Sequence, residues 1–341
     1  MISLNPRTQI VDRFESCNGG RIYRIACDGL PSLGGYVHLL LNAGPPTLVD
    51  AGNGSPESLG QIIQGIRSVR DDFGESVSLH DIQRILITHG HVDHVGGLAE
   101  LVNQTGAEVA IHRMDSRAVT AFDEYAVMNA KTLECFFCRA GAPPDMARRA
   151  NQFFGHSPGR SHNVPIACHV VDGHELDGLR LIHTPGHSPG HVCMAVGDIL
   201  LSGDHVLPTT VTQQWPGSMG SYHGLHHYLE SLDKIPAGHF RLAIGGHEAA
   251  FENIEGRIKH LRETQHRRLS RVLDILRGAR QPLTIWQVAI RMYGEARGIQ
   301  AVMAVMDAGS RIEYLYERGY LNVANLETVG HDEHAAVCYR G

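Results

Sequence analysis

Residues 89–94 read His-Gly-His-Val-Asp-His, four potential metal donors in six positions, and the chain turns glycine-rich directly afterwards at Gly96 and Gly97. Imidazole and carboxylate in such density suit a divalent cation. The stretch follows RILIT (84–88), whose aliphatic, β-branched run predicts a buried strand. At the end of a strand the backbone is extended, so His89 and His91, two apart, project to one side and can grip one ion. Asp93 and His94 fall where the chain bends toward a helix, and their different direction suits a second ion. The motif therefore reads as half of a two-metal site, with Gly96 and Gly97 letting the backbone turn closely behind it.

Donors for the other half stand at the ends of later predicted strands. His187 follows LIHTPG, Asp204 ends ILLSGD and His247 follows AIGG, all on loops at one edge of the sheets. His205, next to Asp204, is expected close to the metals without binding them, and His191, four after His187, is expected to support its loop. His223, His226 and His227 lie at helical spacing in SYHGLHHYLESL and suit a solvated or pocket-lining face. His205, Tyr222 and His223 form a candidate substrate pocket, with Tyr222 expected to hydrogen-bond substrate.

The elements that must position these residues follow from periodicity and punctuation. RIYRIAC (21–27), YVHLLLN (36–42) and TLVDAG (47–52) read as strands. SPESLGQIIQGIRSV then reads as a helix with Ser55 as N-cap and Pro56 in its first turn. A helix over about 96–104 and a strand EVAIH (108–112) follow. Residues 114–158 have helical composition and read as an inserted lid, whose Met114, Phe122, Tyr125, Met128, Leu133, Phe136 and Phe137 supply apolar surface. CHVVDGHEL, LRLIHT, VCMAVGD, ILLSGD and RLAIGG return to β character, with a helix over about 222–234. The pattern predicts an α/β fold, an αββα sandwich of two mixed sheets flanked by helices, over residues 1–252.

Composition changes near residue 253. Residues 255–341 carry 13 Lys and Arg against 10 Asp and Glu, whereas residues 1–254 carry 17 against 26. Capping boxes at Thr284 with Gln287 and at Ser310 with Glu313 are each expected to open a helix, the second ending at Gly319, with a two-stranded hairpin after it. Residues 253–341 thus read as a mostly helical, winged-helix-like domain.

THGHVDHVGG, TPGHSPGH, SGD and GGH, preceded by the aspartate of TLVDAG, together resemble the metallo-β-lactamase-fold hydrolases over roughly residues 20–250. The resemblance implies that His89, His91 and His187 bind one metal, that Asp93, His94 and His247 bind the other, and that Asp204 bridges them. It implies that Asp50 orients the site by hydrogen bonds. In such a site a bridging hydroxide attacks an acyl or phosphoryl centre, and Asp93 holds that nucleophile and passes on its proton. Asp93 and Asp50 are accordingly the candidate catalytic residues. Donors without thiolate suit zinc, manganese or iron, and two divalent ions, zinc first, are expected.

A net charge of −6 argues against a protein dominated by nucleic-acid or membrane electrostatics. Seven scattered cysteines suit reduced thiols, and Cys135 and Cys138 of CFFC are expected to be buried and inert. With no apolar run of spanning length and no leader pattern in MISLNPRTQIVDRF, a cytoplasmic protein without membrane contact is expected. The expected substrate is a small thioester or other activated ester, an acyl-CoA or lactone, whose phosphates the basic C-terminal region could meet. The second reading is a metal-dependent endoribonuclease or phosphodiesterase in which the winged helix guides nucleic acid. Against that reading, HRRLSR (266–271) is the one tight basic cluster. The additional domain suits a homodimer.

Overall fold

The computed structural model describes residues 10–29, 34–154 and 163–341. Residues 1–9 of the amino-terminal reading and residues 155–158 of the expected lid lie outside the described residues.

Seven strands lie side by side in chain order: β1 (Val11–Glu15), β2 (Arg21–Asp28), β3 (Gly34–Leu41), β4 (Thr47–Val49), β5 (Arg84–Leu86), β6 (Glu108–His112) and β7 (Cys168–Val170). The first three pairings are antiparallel. The last three are parallel. Parallel neighbours need crossovers, and helices supply them. These are α1 (Pro56–Phe73), then α2 (Val92–Val95) and α3 (Leu98–Thr105), then α4 (Arg117–Thr120), α5 (Phe122–Arg139) and α6 (Met146–Phe154). The predicted insertion is thus the β6-to-β7 crossover, enlarged into helices.

A second sheet runs β12-β11-β10-β9-β8, from β8 (Glu175–Leu176), β9 (Leu179–His183), β10 (Val192–Val196), β11 (Ile199–Gly203) and β12 (Leu242–Gly245). Its one parallel pairing, β11 with β12, is crossed by α7 (Leu225–Asp233). Strand alternation sorts the side chains into layers. Leu40, Leu86, Leu181, Met194 and Leu201 meet between the sheets. Leu39, Ile85 and Ile87 face α1 and α3 on one outer side. Cys193, Leu200 and Ala243 face the other, where Ile254 packs. The architecture is the αββα sandwich expected.

The C-terminal region comprises α8 (Ile254–Arg277), β13 (Leu283–Thr284), α9 (Ile285–Tyr293), α10 (Ile299–Glu317), β14 (Asn322–Val323), α11 (Leu326–His331) and β15 (Cys338–Arg340). Thr284 and Gln287 form the predicted capping box of α9. Ser310 and Glu313 form none: α10 begins at Ile299, and Ser310 is buried inside it. The expected two-stranded hairpin is part of a three-stranded sheet, β13-β15-β14, with α11 between its last two strands in sequence. One apolar cluster joins Leu133, Phe136 and Phe137 of α5 to Leu225 and Leu229 of α7 and to Val302, Val305 and Met306 of α10. Cys135 is exposed and Cys138 half-buried, its thiol donating to the His334 carbonyl at 3.1 Å, so the expected burial of this pair is corrected. Both fall on the side of α5 opposite Leu133, Phe136 and Phe137, which occupy its buried stripe. Among the described residues no helix is long and apolar enough to cross a membrane.

Candidate metal centre

The ligand loops meet where strands of both sheets end. β5 runs out at Leu86 and delivers Thr88 and His89. α2 is a single turn, and it swings Asp93 and His94 inward while the His91 backbone remains extended at its N-cap. Behind it the two glycines pack on the segment after β4. A Cβ at Gly96 would stand 2.3 Å from the Asn53 carbonyl oxygen, and one at Gly97 2.3 Å from that of Ala51, so neither position accepts a side chain. Gly246 N–H donates to the Gly203 carbonyl at 2.9 Å, tying the loop of His247 to that of Asp204.

All seven predicted ligands are brought together. Three groups each place one donor atom per residue within 4.8 Å of the others: His89, His91 and His187; His89, His94 and Asp204; and Asp93, His94 and His247. Asp204 is central. Its Oδ2 lies 3.6 Å from His187 Nε2, 3.4 Å from His247 Nε2 and 4.0 Å from His89 Nε2, and its Oδ1 lies 3.6 Å from His94 Nε2. Asp93 Oδ2 is 3.3 Å from His247 Nε2.

Outer hydrogen bonds set which ring nitrogen faces inward. His187 Nδ1 donates to the Gln213 carbonyl at 2.9 Å, and His247 Nδ1 to the Gly34 carbonyl at 2.8 Å. His94 Nδ1 donates to Asp50 Oδ2 at 2.8 Å. Thr88 spends its hydroxyl proton on Asp50, so its oxygen accepts from His89 Nδ1 at 3.0 Å. The Nε2 atoms of His94, His187 and His247 thereby face the carboxylates of the centre, while His89 Nε2 lies 3.0 Å from His91 Nδ1. His191 accepts from Asp204 N–H at Nε2 and contacts Thr184 through Nδ1, which is a loop-supporting position.

Electrostatics divide the histidines. Burial first, then neighbouring imidazoles, lowers His89 well below its ordinary value and brings His91 to about 3, and burial lowers His187. These three rings are neutral, as ligation requires. Burial also opposes charge on His94 and His247, but the surrounding carboxylates win. Asp50, Asp204 and Asp93 raise His94 well above its usual value, and Asp204 and Asp93 push His247 up to about 10. Burial works against the charge on Asp204 and Asp93, yet the same two histidines hold both carboxyls below the usual range.

A cavity of about 120 Å³ opens beside the centre, lined by His91, Asp93, Asp115 and Ser188 on the metal side and by Phe122, Tyr125, Leu133, Trp215, Met219 and His223 opposite. Three of the seven apolar lid residues thus line it. Phe136 and Phe137 turn into the C-terminal cluster instead, and Met128 is exposed. The candidate pocket residues separate. His223 lines the cavity half-buried, is brought down to about 4 by desolvation and the neighbouring His187, and has Nδ1 making no hydrogen bond. Tyr222 is 45% exposed and stacks on His227 at 5.1 Å, in a second depression with His226. His205 is fully buried behind Asp204 against Tyr228, outside the cavity lining. The shared helical face expected for His223, His226 and His227 is corrected, because α7 begins only after Gly224.

Sequence reasoning missed Asp115. Its buried carboxylate accepts from Gly90 N at 2.8 Å, Ser188 Oγ at 2.7 Å and Gly190 N at 2.7 Å, binding the His89–His91 loop to the His187 loop. Its position just past the end of β6, like that of Asp204 past β11, was the available signal.

The comparisons agree with this geometry. Probable metallo-hydrolase YflN of Bacillus subtilis (strain 168) is 30% identical over 175 residues, 49% of this chain and 57% of that protein. Atrochrysone carboxyl ACP thioesterase of Aspergillus fumigatus is 25% identical over 231 residues, 67% of this chain and 55% of that protein. The chain therefore spans little more than half the length of these two relatives. The crystal structure of the metallo-beta-lactamase family protein TTHA1429 from Thermus thermophilus has the same fold. Its TM-score is 0.71 at 22% identity, over 94% of this chain and 98% of that one. The family model for the metallo-beta-lactamase superfamily matches residues 31–247, a span containing every one of the converging ligands, and the chain belongs to that superfamily.

Proposed function

We propose that the protein is a dinuclear metal-dependent hydrolase of a thioester or similarly activated ester. The observation that carries the reading is a set of buried donor atoms without partners beside an apolar cavity. His94 Nε2, His187 Nε2 and Asp204 Oδ1 are inaccessible to water and make no hydrogen bond: His94 Nε2 stands 3.6 Å from Asp204 Oδ1 and His187 Nε2 3.6 Å from Asp204 Oδ2, both too long for one. Orphaned polar atoms of this kind are costly in a folded protein unless a ligand completes them. The donor set fits two cations: His89, His91 and His187 would hold one, Asp93, His94 and His247 the other, with Asp204 shared.

Such a pair supplies Lewis acidity toward an acyl oxygen and acidifies water at neutral pH. The chain's own residues do the rest. Asp93, ionised and lining the cavity, accepts the proton that the attacking water gives up. Phe122, Tyr125, Leu133 and Met219 surround the acyl group and exclude bulk water. His223, neutral and unpartnered at Nδ1, orients the carbonyl or the thiol leaving group. Asp50 keeps the His94 ring turned inward.

Among the described residues the cavity lining contains no Lys or Arg. That favours an acyl group over a phosphodiester, whose charge calls for cationic partners. The named activity of the atrochrysone carboxyl ACP thioesterase supports a thioester. The donor chemistry favours zinc, with manganese or iron compatible. Metal analysis joined to a panel of acyl-CoA thioesters, lactones, bis(p-nitrophenyl) phosphate and RNA, run on wild type and Asp93→Ala, tests the reading. Thioester turnover lost in the variant supports it, and turnover of RNA alone overturns it.

A further inference from the structure

The C-terminal region has no residue among the metal ligands, yet one face of α10 stands behind both walls of the acyl cavity. Gly309 is the point of contact. A Cβ there would lie 2.6 Å from Phe136 Cζ, 3.0 Å from Phe136 Cε2 and 3.3 Å from Pro216 Cγ. Phe136 is buried on α5, the helix that carries Tyr125 and Leu133 into the cavity. Pro216 adjoins Trp215, whose ring lies 6.2 Å from that of His91 and 6.0 Å from that of His223. One side chain's worth of missing volume therefore seats the lid helix and the 215–223 loop on the same spot.

One helical turn further on, and so on the same face, stands Glu313. Its carboxylate accepts from Ser218 N at 2.9 Å and from Ser218 Oγ at 2.5 Å, gripping the loop that carries Met219 and His223. Burial raises the Glu313 carboxyl, and the two Ser218 donors pull the other way. The far end of α5 is held by the same region: Trp286 N–H donates to the Ala140 carbonyl at 2.9 Å and Val337 N–H to that of Arg139 at 2.8 Å. None of these groups reaches the metal ligands, so they set the cavity's shape without touching its chemistry.

We infer that Gly309 and Glu313 are specificity-determining positions, through which the C-terminal region fixes how long an acyl group the cavity accepts. The inference rests on the thioesterase reading for its substrate but not for its structural content. Ala is a better helix former than Gly, so a loss at Gly309→Ala reports the clash with Phe136 rather than a weakened helix. The displaced walls narrow or skew the cavity, which penalises long acyl groups most.

The test uses the full metal-loaded chain with Trp286→Phe, leaving Trp215 as the one tryptophan. Acetyl, butyryl and octanoyl thioesters of N-acetylcysteamine are the substrates, and acrylamide quenching of Trp215 is the structural readout. For Gly309→Ala the expected result is a KM for the octanoyl thioester raised about tenfold, with the acetyl kcat within about twofold of its starting value. Trp215 quenching also rises, and Phe136→Leu in the same chain restores both. Glu313→Ala is expected to shift preference the same way and Glu313→Gln, which keeps one acceptor for Ser218, to shift it less. Should Gly309→Ala fail to fold, the Glu313 pair decides. Equal losses for all acyl lengths, unchanged Trp215 quenching, or no rescue by Phe136→Leu overturns the inference. If wild type cleaves no thioester, the functional reading fails by itself, and Trp215 quenching still decides the placement of the walls.

Discussion

Asp50 Oδ2 lies 2.8 Å from His94 Nδ1, and both residues are buried to within 1% exposure. The same carboxylate accepts from Thr88 N at 2.8 Å, so one side chain fixes both a ligand's ring orientation and the start of the ligand loop. Asp50 has φ of 65°, a left-handed conformation that Asn tolerates better than other residues. Asp50→Asn therefore removes the charge while keeping the backbone. Metal affinity is expected to fall about 10–100-fold, most at the group containing His94. Titration of metal-free protein with a competing chelator measures it, and unchanged affinity would show that Asp50 does not orient the site.

Protonation of the metal-free centre gives a second expectation. His94 and His247 are raised, the latter to about 10, so both carry protons at neutral pH, whereas the lowered His89, His91 and His187 carry none. Filling the centre near pH 7 should release about two protons, and affinity should rise with pH. Calorimetry in buffers of different ionisation enthalpy counts them. For the metal-free chain the sign follows from linkage. The two raised histidines contribute stability that is fully present below 6.5 and is lost as pH rises toward about 10. The lowered Asp93 and Asp204 contribute stability present above 3.8 and lost as pH falls further. The lowered His89, His91 and His187 act the other way, contributing stability present above 6.5 and lost as pH falls below it, so denaturant midpoints of the metal-free chain should be highest near 6.5, and a midpoint still rising through pH 8 would contradict the assignment.

Asp115 ties two ligand loops without being a ligand. Asp115→Ala leaves Gly90 N–H, Gly190 N–H and the Ser188 hydroxyl without their acceptor. Losing hydrogen bonds to a buried carboxylate is expected to cost about 3 kcal/mol in urea unfolding and to loosen both loops. A cost under about 0.5 kcal/mol, the scale of neutral surface changes, would mean the contacts carry no load.

How far the sequence discloses this molecule depends on which interactions are local. The donor set is legible because strand ends place ligands by short-range rules, and HGHVDH, TPGH, SGD and GGH each carry their geometry with them. Gly96 and Gly97 are legible for the same reason. β1 escaped notice because VDRFE has only one fully buried side chain, Val11, and so little apolar periodicity to detect. Ser310 and Glu313 mimicked a capping box, but α10 starts 11 residues earlier at Ile299, and tertiary packing buries Ser310. His205 adjoins Asp204 and Tyr222 adjoins His223 in sequence, yet neither lines the cavity beside the centre, since the burial of His205 against Tyr228 and the turn at Gly224 are decided by packing. Asp115 and Glu313 act across 73–95 residues of chain, distances over which no local pattern speaks.

Salt separates the acyl reading from the nucleic-acid one. With no Lys or Arg lining the cavity among the described residues, kcat/KM for a neutral thioester should change less than about twofold between 50 and 200 mM salt, whereas a nuclease contacting many phosphates would lose about a thousandfold in affinity. Rates measured across that range decide, and a steep fall would favour the nuclease.

The most direct measurement is anomalous diffraction from crystals of the metal-loaded protein, collected at the absorption edge of the bound element. Two peaks are expected, one among His89, His91 and His187 and one among Asp93, His94 and His247, with Asp204 reaching both. A single peak, or Asp204 turned away from the 89–94 loop with nothing bound between them, would contradict it.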